Sequence, residues 1–329
     1  MLIGKFLKNK NKEFEKHVFS GLSFDSNTCK KNYIFFAVKG NSNDGHKYIN
    51  KAIRNGASTI IHQKSFEGFK GKVLFLSYKN VRKILAQISY KFFSEKPKNI
   101  IAVTGTNGKS SVSDFFYQIL KLNKINVASI GTLGIKFKNK MISVNNTTLD
   151  PINLAKYLSF LRKRKINNVI LEASSHGLKQ NRLDGLNISS AIFTNFSHDH
   201  LDYHKNLKDY LNAKLYLFKH LVKKKGNVIT DHTITEFNKI KKITLKKNLK
   251  LFTLNEKNNN FYVQSHFFNG DRQIIKIKYG NIIQNIDVNL IGKIQLKNLF
   301  MAIIAANKSN ISLKKIFKVL PKIKPVEGR

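Results

Sequence analysis

The chain has 329 residues, of which 42% are hydrophobic, and this is enough apolar material for two domains with separate cores. Its formal net charge is +40, because 59 lysines and arginines stand against 19 aspartates and glutamates. The single cysteine, Cys29, excludes an internal disulfide and a cysteine-based metal cluster. The longest apolar stretch, residues 299–306, is too short to span a bilayer, so we expect no membrane partner and a cytoplasmic location.

The basic charge has two interpretations. Cationic surfaces bind nucleic acid through counterion release. Seven of the 59 basic residues are arginine, which leaves 52 lysines spread from end to end, and nucleic-acid interfaces tend to favour arginine. We therefore expect solvated lysines on many faces and no nucleic-acid partner, with the charge aiding capture of anionic substrates.

Residues 1–95 are predicted to form a first α/β domain, because short apolar runs alternate with helical patterns. The polar joint Lys96-Pro97-Lys98 predicts the boundary with a second domain, residues 96–329. In the first domain the predicted strands are 33–38, 58–61 and 73–76, and the predicted helices are 47–55 and 81–93.

The second domain begins as a regular alternation of strands and helices, which predicts a mostly parallel sheet with helices on both faces. A β-rich extension follows at about 250–290, with predicted hairpin turns at 258–260 and 269–271. The fold class is therefore α/β in both domains. The predicted strands are 99–104, 126–130, 167–172, 189–194 and 226–230, and the predicted helices are 109–122, 152–164, 206–222, 295–307 and 312–319.

Residues 102–111 read A-V-T-G-T-N-G-K-S-S and lie between a predicted strand and a predicted helix. Glycines let backbone N–H groups close around phosphate oxygens, and the helix N-terminus adds a positive dipole end. Lys109 could reach the β- and γ-phosphates, and Ser110 could hold Mg²⁺. The residue five positions before Gly108 is Val103 and not glycine, so the spacing differs from the common phosphate-binding loop. An ordinary glycine-rich turn is the alternative.

The loop sequence G-T-N-G-K-S-S resembles that of the Mur ligase family, the ATP-dependent amide-forming enzymes of peptidoglycan synthesis. Further blocks resemble the MurE-type tripeptide synthetases within that family, and the resemblance runs from about Leu22 to the last residue. His198 departs from the family pattern, which has arginine there. The blocks are L-E-A-S-S-H-G-L at 171–178 with Gln180 and Arg182, F-T-N-F-S-H-D-H-L-D-Y-H at 193–204, and N-A-K at 212–214.

This resemblance implies a ligase that adds a diamino acid, meso-diaminopimelate or L-lysine, to UDP-N-acetylmuramoyl-L-alanyl-D-glutamate. ATP would phosphorylate the glutamate side-chain carboxylate, and the amine would then attack the acyl phosphate, with Mg²⁺ as cofactor. Three alternatives remain: another Mur-type ligase, a nucleotide- or substrate-binding module without catalysis, and a polyanion-binding protein.

The resemblance also implies roles for individual residues. Lys109, Glu172, His200 and Lys214 would be catalytic, with Lys214 carbamylated to N6-carboxylysine. Ser110, Glu172, His200 and the modified Lys214 would hold metal. Glu172 as a surface carboxylate and Lys214 as an ordinary helix-surface lysine are the alternatives. The implied ATP contacts are Gly105, Thr106, Asn107, Gly108, Lys109, Ser110, Ser111 and Asn298.

The UDP end of the substrate would be held by the first domain, where Asn27 replaces an arginine of the family pattern. The N-T-T element at 146–148 and the block after Glu172 would hold the muramoyl-peptide. The implied substrate contacts are Phe24, Ser26, Asn146, Thr147, Thr148, Ser174, Gln180 and Arg182.

The last five residues, P-V-E-G-R at 325–329, resemble the end of the family's central domain. In the family a third domain follows, which binds the incoming amino acid. We therefore expect these 329 residues to bind ATP and the UDP-substrate, and to need a separately encoded C-terminal domain for ligation.

Overall fold

The computed structural model describes residues 1–8, 11–40, 43–199, 202–254, 261–269, 272–279, 281–290 and 292–326. The chain divides into two compact units. Most of the first unit is the N-terminal segment, but two later segments also belong to it. The first unit comprises residues 1–94, 150–159 and 180–186, and the second comprises 95–149, 160–179 and 187–329.

The first unit contains a five-stranded sheet in the order β1-β2-β3-β5-β4, in which only β4 is antiparallel to its neighbour among the described strands. Its strands are β1 (Gly21–Ser23), β2 (Tyr33–Phe36), β3 (Ala57–His62), β4 (Gly68–Lys70) and β5 (Val73–Ser77), and its helices are α1 (Lys12–Glu15), α2 (Ile49–Arg54) and α3 (Val81–Phe92).

Both faces of this sheet are covered, as continuous apolar strands predict. Ile34 and Phe36 belong to one core cluster, whereas Phe35 belongs to another, because successive strand side chains point to opposite faces. Helix α3 packs Leu85 and Ile88 into the first cluster.

The second unit contains the remaining strands and most of the remaining helices. Helix α5 is shared, since its residues up to Ser159 group with the first unit. The strands are β6 (Asn99–Thr104), β7 (Val127–Gly131), β8 (Gly134–Phe137), β9 (Lys140–Ile142), β10 (Asn168–Glu172), β11 (Ile188–Phe193), β12 (Val222–Asp231), β13 (Lys250–Leu254), β14 (Tyr262–Asn269), β15 (Arg272–Tyr279) and β16 (Ile282–Val288). The helices are α4 (Lys109–Leu122), α5 (Pro151–Lys163), α6 (Ser175–Lys179), α7 (Leu207–Tyr216), α8 (Phe237–Lys247), α9 (Lys293–Asn307) and α10 (Leu313–Val319).

The main sheet of the second unit has eight strands in the order β13-β12-β11-β6-β10-β7-β8-β9. The six strands from β13 to β7 are parallel, and β8 and β9 form an antiparallel edge. The predicted α/β class and the mostly parallel sheet are therefore confirmed.

The β-rich extension is a separate three-stranded antiparallel sheet, β14-β15-β16. Asn269 pairs with Arg272, which agrees with the hairpin predicted at 269–271, although residues 270 and 271 lie outside the described residues. The second predicted turn, 258–260, also lies outside them. The strands described on its two sides, β13 and β14, belong to different sheets.

Some predicted bounds were wrong. The helix predicted at 206–222 ends as an α-helix at Tyr216, and a π-helical turn, Leu217–Leu221, follows it. The edge hairpin of β8 and β9 was not predicted, because its strands are short and one of them is exposed. Within the described residues, no helix combines the length and the apolar character that crossing a membrane requires.

Helix α4 contributes many side chains to a large core cluster of the second unit. Its residues Phe115, Phe116 and Ile119 are fully buried, and they share this cluster with Leu299 and Ile303 of α9. Burial of large side chains at three- and four-residue spacing fixes which face of α4 is turned inward. The position of the loop that precedes α4 therefore depends on this packing.

We predict that Phe115→Ala destabilises the second unit by about 3–5 kcal/mol, because it removes a fully buried ring and leaves a cavity. Thermal unfolding followed by circular dichroism measures the effect as a lower midpoint. Leu122→Ala is the matched control on the same helix, since Leu122 is 37% exposed and should cost less than about 1 kcal/mol. Equal losses for both variants would contradict the assigned orientation of α4.

Candidate active site

The order of the parallel strands brings four polar segments to one edge of the sheet. Strand β6 lies between β10 and β11, and β10 also pairs with β7. At the carboxyl ends of these strands lie loop 105–108, Glu172, Thr132 and Thr194. In open α/β sheets this edge is where ligands bind.

Two glycines of the loop have backbone angles that other residues rarely adopt. Gly105 has φ +149° and Gly108 has φ +84°. A Cβ at Gly105 would collide with the Thr194 hydroxyl, and one at Gly108 would lie 2.5 Å from Asn298 Oδ1. Both positions require glycine because of backbone conformation and close neighbours together.

The segment after β11 holds the loop in this shape. The Thr194 hydroxyl donates to the Asn107 carbonyl at 2.5 Å, and the Asn107 N–H donates to Asn195 Oδ1 at 2.9 Å. The Thr106 hydroxyl lies 3.2 Å from the Tyr210 hydroxyl of α7. The loop is therefore fixed on two sides before any ligand is present.

Lys109 is the first residue of α4, and its ammonium group folds back over the loop. Its Nζ donates to the carbonyls of Gly105 at 2.9 Å and Thr106 at 2.8 Å. This conformation holds a positive charge at the helix N-terminus, where phosphate groups are favoured. Asn298 on α9 is 3% exposed and contacts the same loop at Gly108, so the structure brings together the predicted ATP residues 105–111 and Asn298.

Glu172 ends β10 and is 3% exposed, which excludes the surface-carboxylate interpretation. Its Oε2 accepts hydrogen bonds from the hydroxyls of Ser110 and Thr132, both at 3.1 Å, and its Oε1 accepts one from the Thr132 N–H. Burial raises the pKa of the Glu172 carboxyl, and the hydrogen bond from Ser110 opposes this shift. The predicted metal residues Ser110 and Glu172 are thus in direct contact.

Lys214 is 1% exposed, which is rare for lysine and excludes the helix-surface interpretation. Its Nζ donates to the Gly105 carbonyl at 2.7 Å and lies 4.3 Å from the centre of the Tyr210 ring. Burial lowers the pKa of the Lys214 ammonium to about 6, and the nearby positive charge of Lys109 adds to the shift. The amine is therefore mostly neutral at pH 7.

His200, predicted to be catalytic and a metal ligand, lies outside the described residues, and so its role stays a prediction. Among the residues that the structure does describe, no group of three histidines, cysteines or acids is arranged to hold a metal. His204 is buried against Tyr210, with ring centres 5.0 Å apart, and its Nδ1 lies 3.5 Å from Asp209 Oδ2.

Four of the predicted substrate residues belong to the second unit, and three of them lie close to Glu172. The Thr148 hydroxyl donates to the Glu172 carbonyl at 2.8 Å and lies 3.0 Å from the Ser174 hydroxyl. The Thr147 hydroxyl lies 3.0 Å from that of Thr132. Asn146 is exposed.

The other predicted substrate residues belong to the first unit. Ser26 is buried, and Phe24 is 41% exposed. Arg182 donates through Nη2 to Gln180 Oε1 at 2.9 Å, and Arg82 also donates to that oxygen, at 3.4 Å. Arg82 lines a cavity of about 320 Å³ in this unit.

Sequence reasoning missed several residues that shape the site: Thr132, Thr194, Asn195 and Tyr210. The first three follow parallel strands that were predicted, and the carboxyl ends of such strands meet at one edge. This rule, applied to the predicted strands, could therefore have found them. Tyr210 carried no such signal, because a tyrosine in a helix is usually a packing residue.

Comparison with known proteins agrees with this geometry. The family described as Mur ligase middle domain matches residues 103–306, and the family described as Mur ligase family, catalytic domain, matches residues 18–93. The proteins named UDP-N-acetylmuramoyl-L-alanyl-D-glutamate--2,6-diaminopimelate ligase from Rickettsia prowazekii and Rickettsia bellii are 35% and 37% identical to this chain. The matches cover 98% and 96% of this chain but 67% and 66% of the relatives, so the chain spans about two thirds of their length.

Solved structures show the same fold. A UDP-N-acetylmuramoyl-L-alanyl-D-glutamate--2,6-diaminopimelate ligase superposes with a TM-score of 0.87 at 25% identity, covering 100% of this chain and 68% of its own. MurF from Thermotoga maritima, solved in complex with ADP, superposes with a TM-score of 0.60 at 19% identity, covering 94% of this chain and 67% of its own. The sequence matches, the fold and the glycine loop lead to one conclusion: the chain belongs to the Mur ligase family.

Proposed function

We propose that this chain carries the ATP site and the UDP-substrate site of an ATP-dependent ligase of peptidoglycan synthesis. The reaction adds a diamino acid to UDP-N-acetylmuramoyl-L-alanyl-D-glutamate through an acyl phosphate. The names of the relatives favour 2,6-diaminopimelate, with L-lysine as the alternative. We place the reaction in the cytoplasm, where ATP is available.

The observation that carries this proposal is the buried amine of Lys214 against the glycine loop. A phosphate-binding loop alone would support any nucleotide-binding protein. A neutral lysine hydrogen-bonded to the Gly105 carbonyl is chemically different, because only an unprotonated amine combines with CO₂. The N6-carboxylysine that results is an anion beside the phosphate site, and we propose that Lys214 takes this form.

Mg²⁺ prefers oxygen ligands, and the Ser110 hydroxyl and the Glu172 carboxylate fit this preference. The pair is buried, and its two side chains already lie 3.1 Å apart. We propose that they hold Mg²⁺ with the carboxylated Lys214 and His200. The bound ion supplies positive charge that neutralises the phosphate groups.

The residues of this chain have separate tasks in the proposed reaction. Lys109 offsets negative charge on the transferred phosphoryl group, and the loop N–H groups orient the nucleotide. Thr148 and Ser174, next to Glu172, orient the peptide part of the substrate near the site of transfer. We assign residues 1–95 to recognition of the UDP end, through Ser26 and Phe24, and residues 96–329 to ATP.

The tasks assigned above do not include binding of the incoming amine. We propose that amide formation depends on a further domain, supplied within a longer protein or by a separate chain. Closure of such a domain would exclude water from the acyl phosphate. The second candidate function is binding of ATP and the UDP-substrate without ligation. The same site geometry allows this function.

We predict that Lys109→Ala weakens ATP binding about 10- to 100-fold, since hydrogen bonds to charged groups contribute about 1.5–3 kcal/mol. Nucleotide titration calorimetry measures the effect. Lys121→Ala, which removes an exposed lysine from the last turn of the same helix, is the control and should bind as the parent does. An unchanged affinity in Lys109→Ala would remove the loop from the nucleotide site.

Lys214 should carry a carbamate in the folded protein at pH 8 under bicarbonate. The pKa of about 6 means that the amine is neutral above pH 6, so the carbamate should form there and be lost as the pH falls below about 6. ¹³C NMR with labelled bicarbonate detects it without denaturation. Lys214→Arg should abolish the signal, whereas Lys208→Arg, an exposed lysine of the same helix, should keep it. A signal that survives Lys214→Arg would refute the assignment.

The ligation step gives the direct test of function. The 329-residue protein should bind ATP and UDP-N-acetylmuramoyl-dipeptide but form almost no amide with 2,6-diaminopimelate. Adding the C-terminal third of the Rickettsia prowazekii relative should restore product weakly, because the effective concentration of a linked domain is lost. Mass spectrometry of the product measures this, and Lys109→Ala should stay inactive. Robust ligation by the 329 residues alone would contradict the proposed division of tasks.

A further inference from the structure

The second unit has a large basic cavity at the edge of its sheet opposite the glycine loop. The cavity has a volume of about 780 Å³ and lies at the amino ends of the parallel strands, including Asn99 of β6 and Asn168 of β10. The glycine loop follows the carboxyl end of β6, so the two sites are separated by the length of that strand. The cavity is therefore distinct from the site described above.

Five lysines line this basic cavity: Lys98, Lys223, Lys225, Lys250 and Lys308. Within the described part of the chain, no aspartate or glutamate lines it. A concave surface lined by charges of one sign focuses the electrostatic field and concentrates counter-ions. The sequence favoured lysines dispersed over many faces, but here the fold collects five of them around one concavity.

Among these lysines, Lys308 is affected both by burial and by a neighbouring positive charge. This residue follows α9 and is partly buried, with its Nζ 4.0 Å from the centre of the Phe252 ring. Burial lowers the pKa of the Lys308 ammonium, and the positive charge of Lys250 lowers it further. A bound anion would relieve this repulsion.

The floor of the basic cavity is polar and held in place by hydrogen bonds. Asn99 Nδ2 donates to Asn168 Oδ1 at 3.0 Å and to Ser309 Oγ at 2.9 Å. The Ser189 hydroxyl donates to the Ile100 carbonyl at 2.8 Å. Side chains that are fixed in this way keep the shape of the cavity and offer amide and hydroxyl groups to a polar ligand.

The lining also limits the chemistry of the ligand. Lysine ammonium groups act as point charges and suit phosphate oxygens. No aromatic side chain is among the described lining residues, so nothing is placed to stack on a base. The volume lies within the usual range for small-molecule sites. We propose that this basic cavity binds a compact anion that carries two or more phosphate groups.

Inorganic tripolyphosphate is the probe, titrated calorimetrically into the 329-residue protein in magnesium-free buffer. The glycine loop also binds phosphates, so the titrations use the Lys109→Ala background. In that background the protein should still bind tripolyphosphate. Adding Lys223→Gln and Lys250→Gln should weaken binding about tenfold or more. Both side chains are exposed, so these changes should leave the fold intact, and thermal unfolding checks this.

The matched control is Lys239→Gln with Lys242→Gln, which removes two exposed lysines of α8 and the same total charge. It should bind within about twofold of the background protein. Equal weakening by both pairs would mean that net charge alone attracts the anion. Loss of all binding in Lys109→Ala would assign the anion to the glycine loop. A single-stranded RNA at equal phosphate concentration is the last comparison. The small-anion assignment would be overturned if this RNA displaced tripolyphosphate and the displacement required Lys223 and Lys250.

Discussion

The close approach of two segments to the glycine loop, together with the packing of α4, is the constraint on which the candidate active site depends. The Thr194 hydroxyl occupies the space that a Cβ at Gly105 would need, and Asn298 does the same at Gly108. Helix α4 fixes the far end of the loop by burying Phe115 in the core. Because packing and hydrogen bonds such as that from the Asn107 N–H to Asn195 hold this backbone, the loop has little conformational freedom to lose on binding a ligand.

This fixed loop also determines the electrostatics of the site. The Gly105 carbonyl accepts from both Lys109 and Lys214, so two amines lie close together, and one of them is buried. Burial lowers the pKa of the Lys214 ammonium, and the positive charge of Lys109 lowers it further. Ser110 in the first turn of α4 and Thr132 after β7 supply the hydrogen bonds that a buried Glu172 needs. A mostly neutral amine therefore contacts the loop at Gly105, and a buried carboxylate contacts Ser110 at the start of α4.

Much of the fold follows from local patterns. Strands such as β6 and β10 are continuous apolar runs, since both faces of the parallel sheet are covered, and α4 shows the spacing of a helix with one buried face. The hairpin of β8 and β9 could not be recognised, because short edge strands bury few side chains and leave little periodicity. The order of the strands in the sheet could likewise not be predicted, because it depends on contacts between segments that are distant in sequence.

From the residues alone, the glycine loop could be predicted between a strand and a helix, with Lys109 and Ser110 at the start of that helix. The role of Glu172, at the end of β10, came from the family resemblance. The sequence did not determine the state of Lys214. Lys214 is one of 52 lysines, and it is removed from water because α7 packs against the loop. Burial then lowers the pKa of its ammonium group. The five lysines of the basic cavity, at the edge of the sheet opposite the glycine loop, are likewise brought together by the tertiary structure. Charge and solvation depend on what surrounds a side chain in space, and only the folded chain brings those surroundings together.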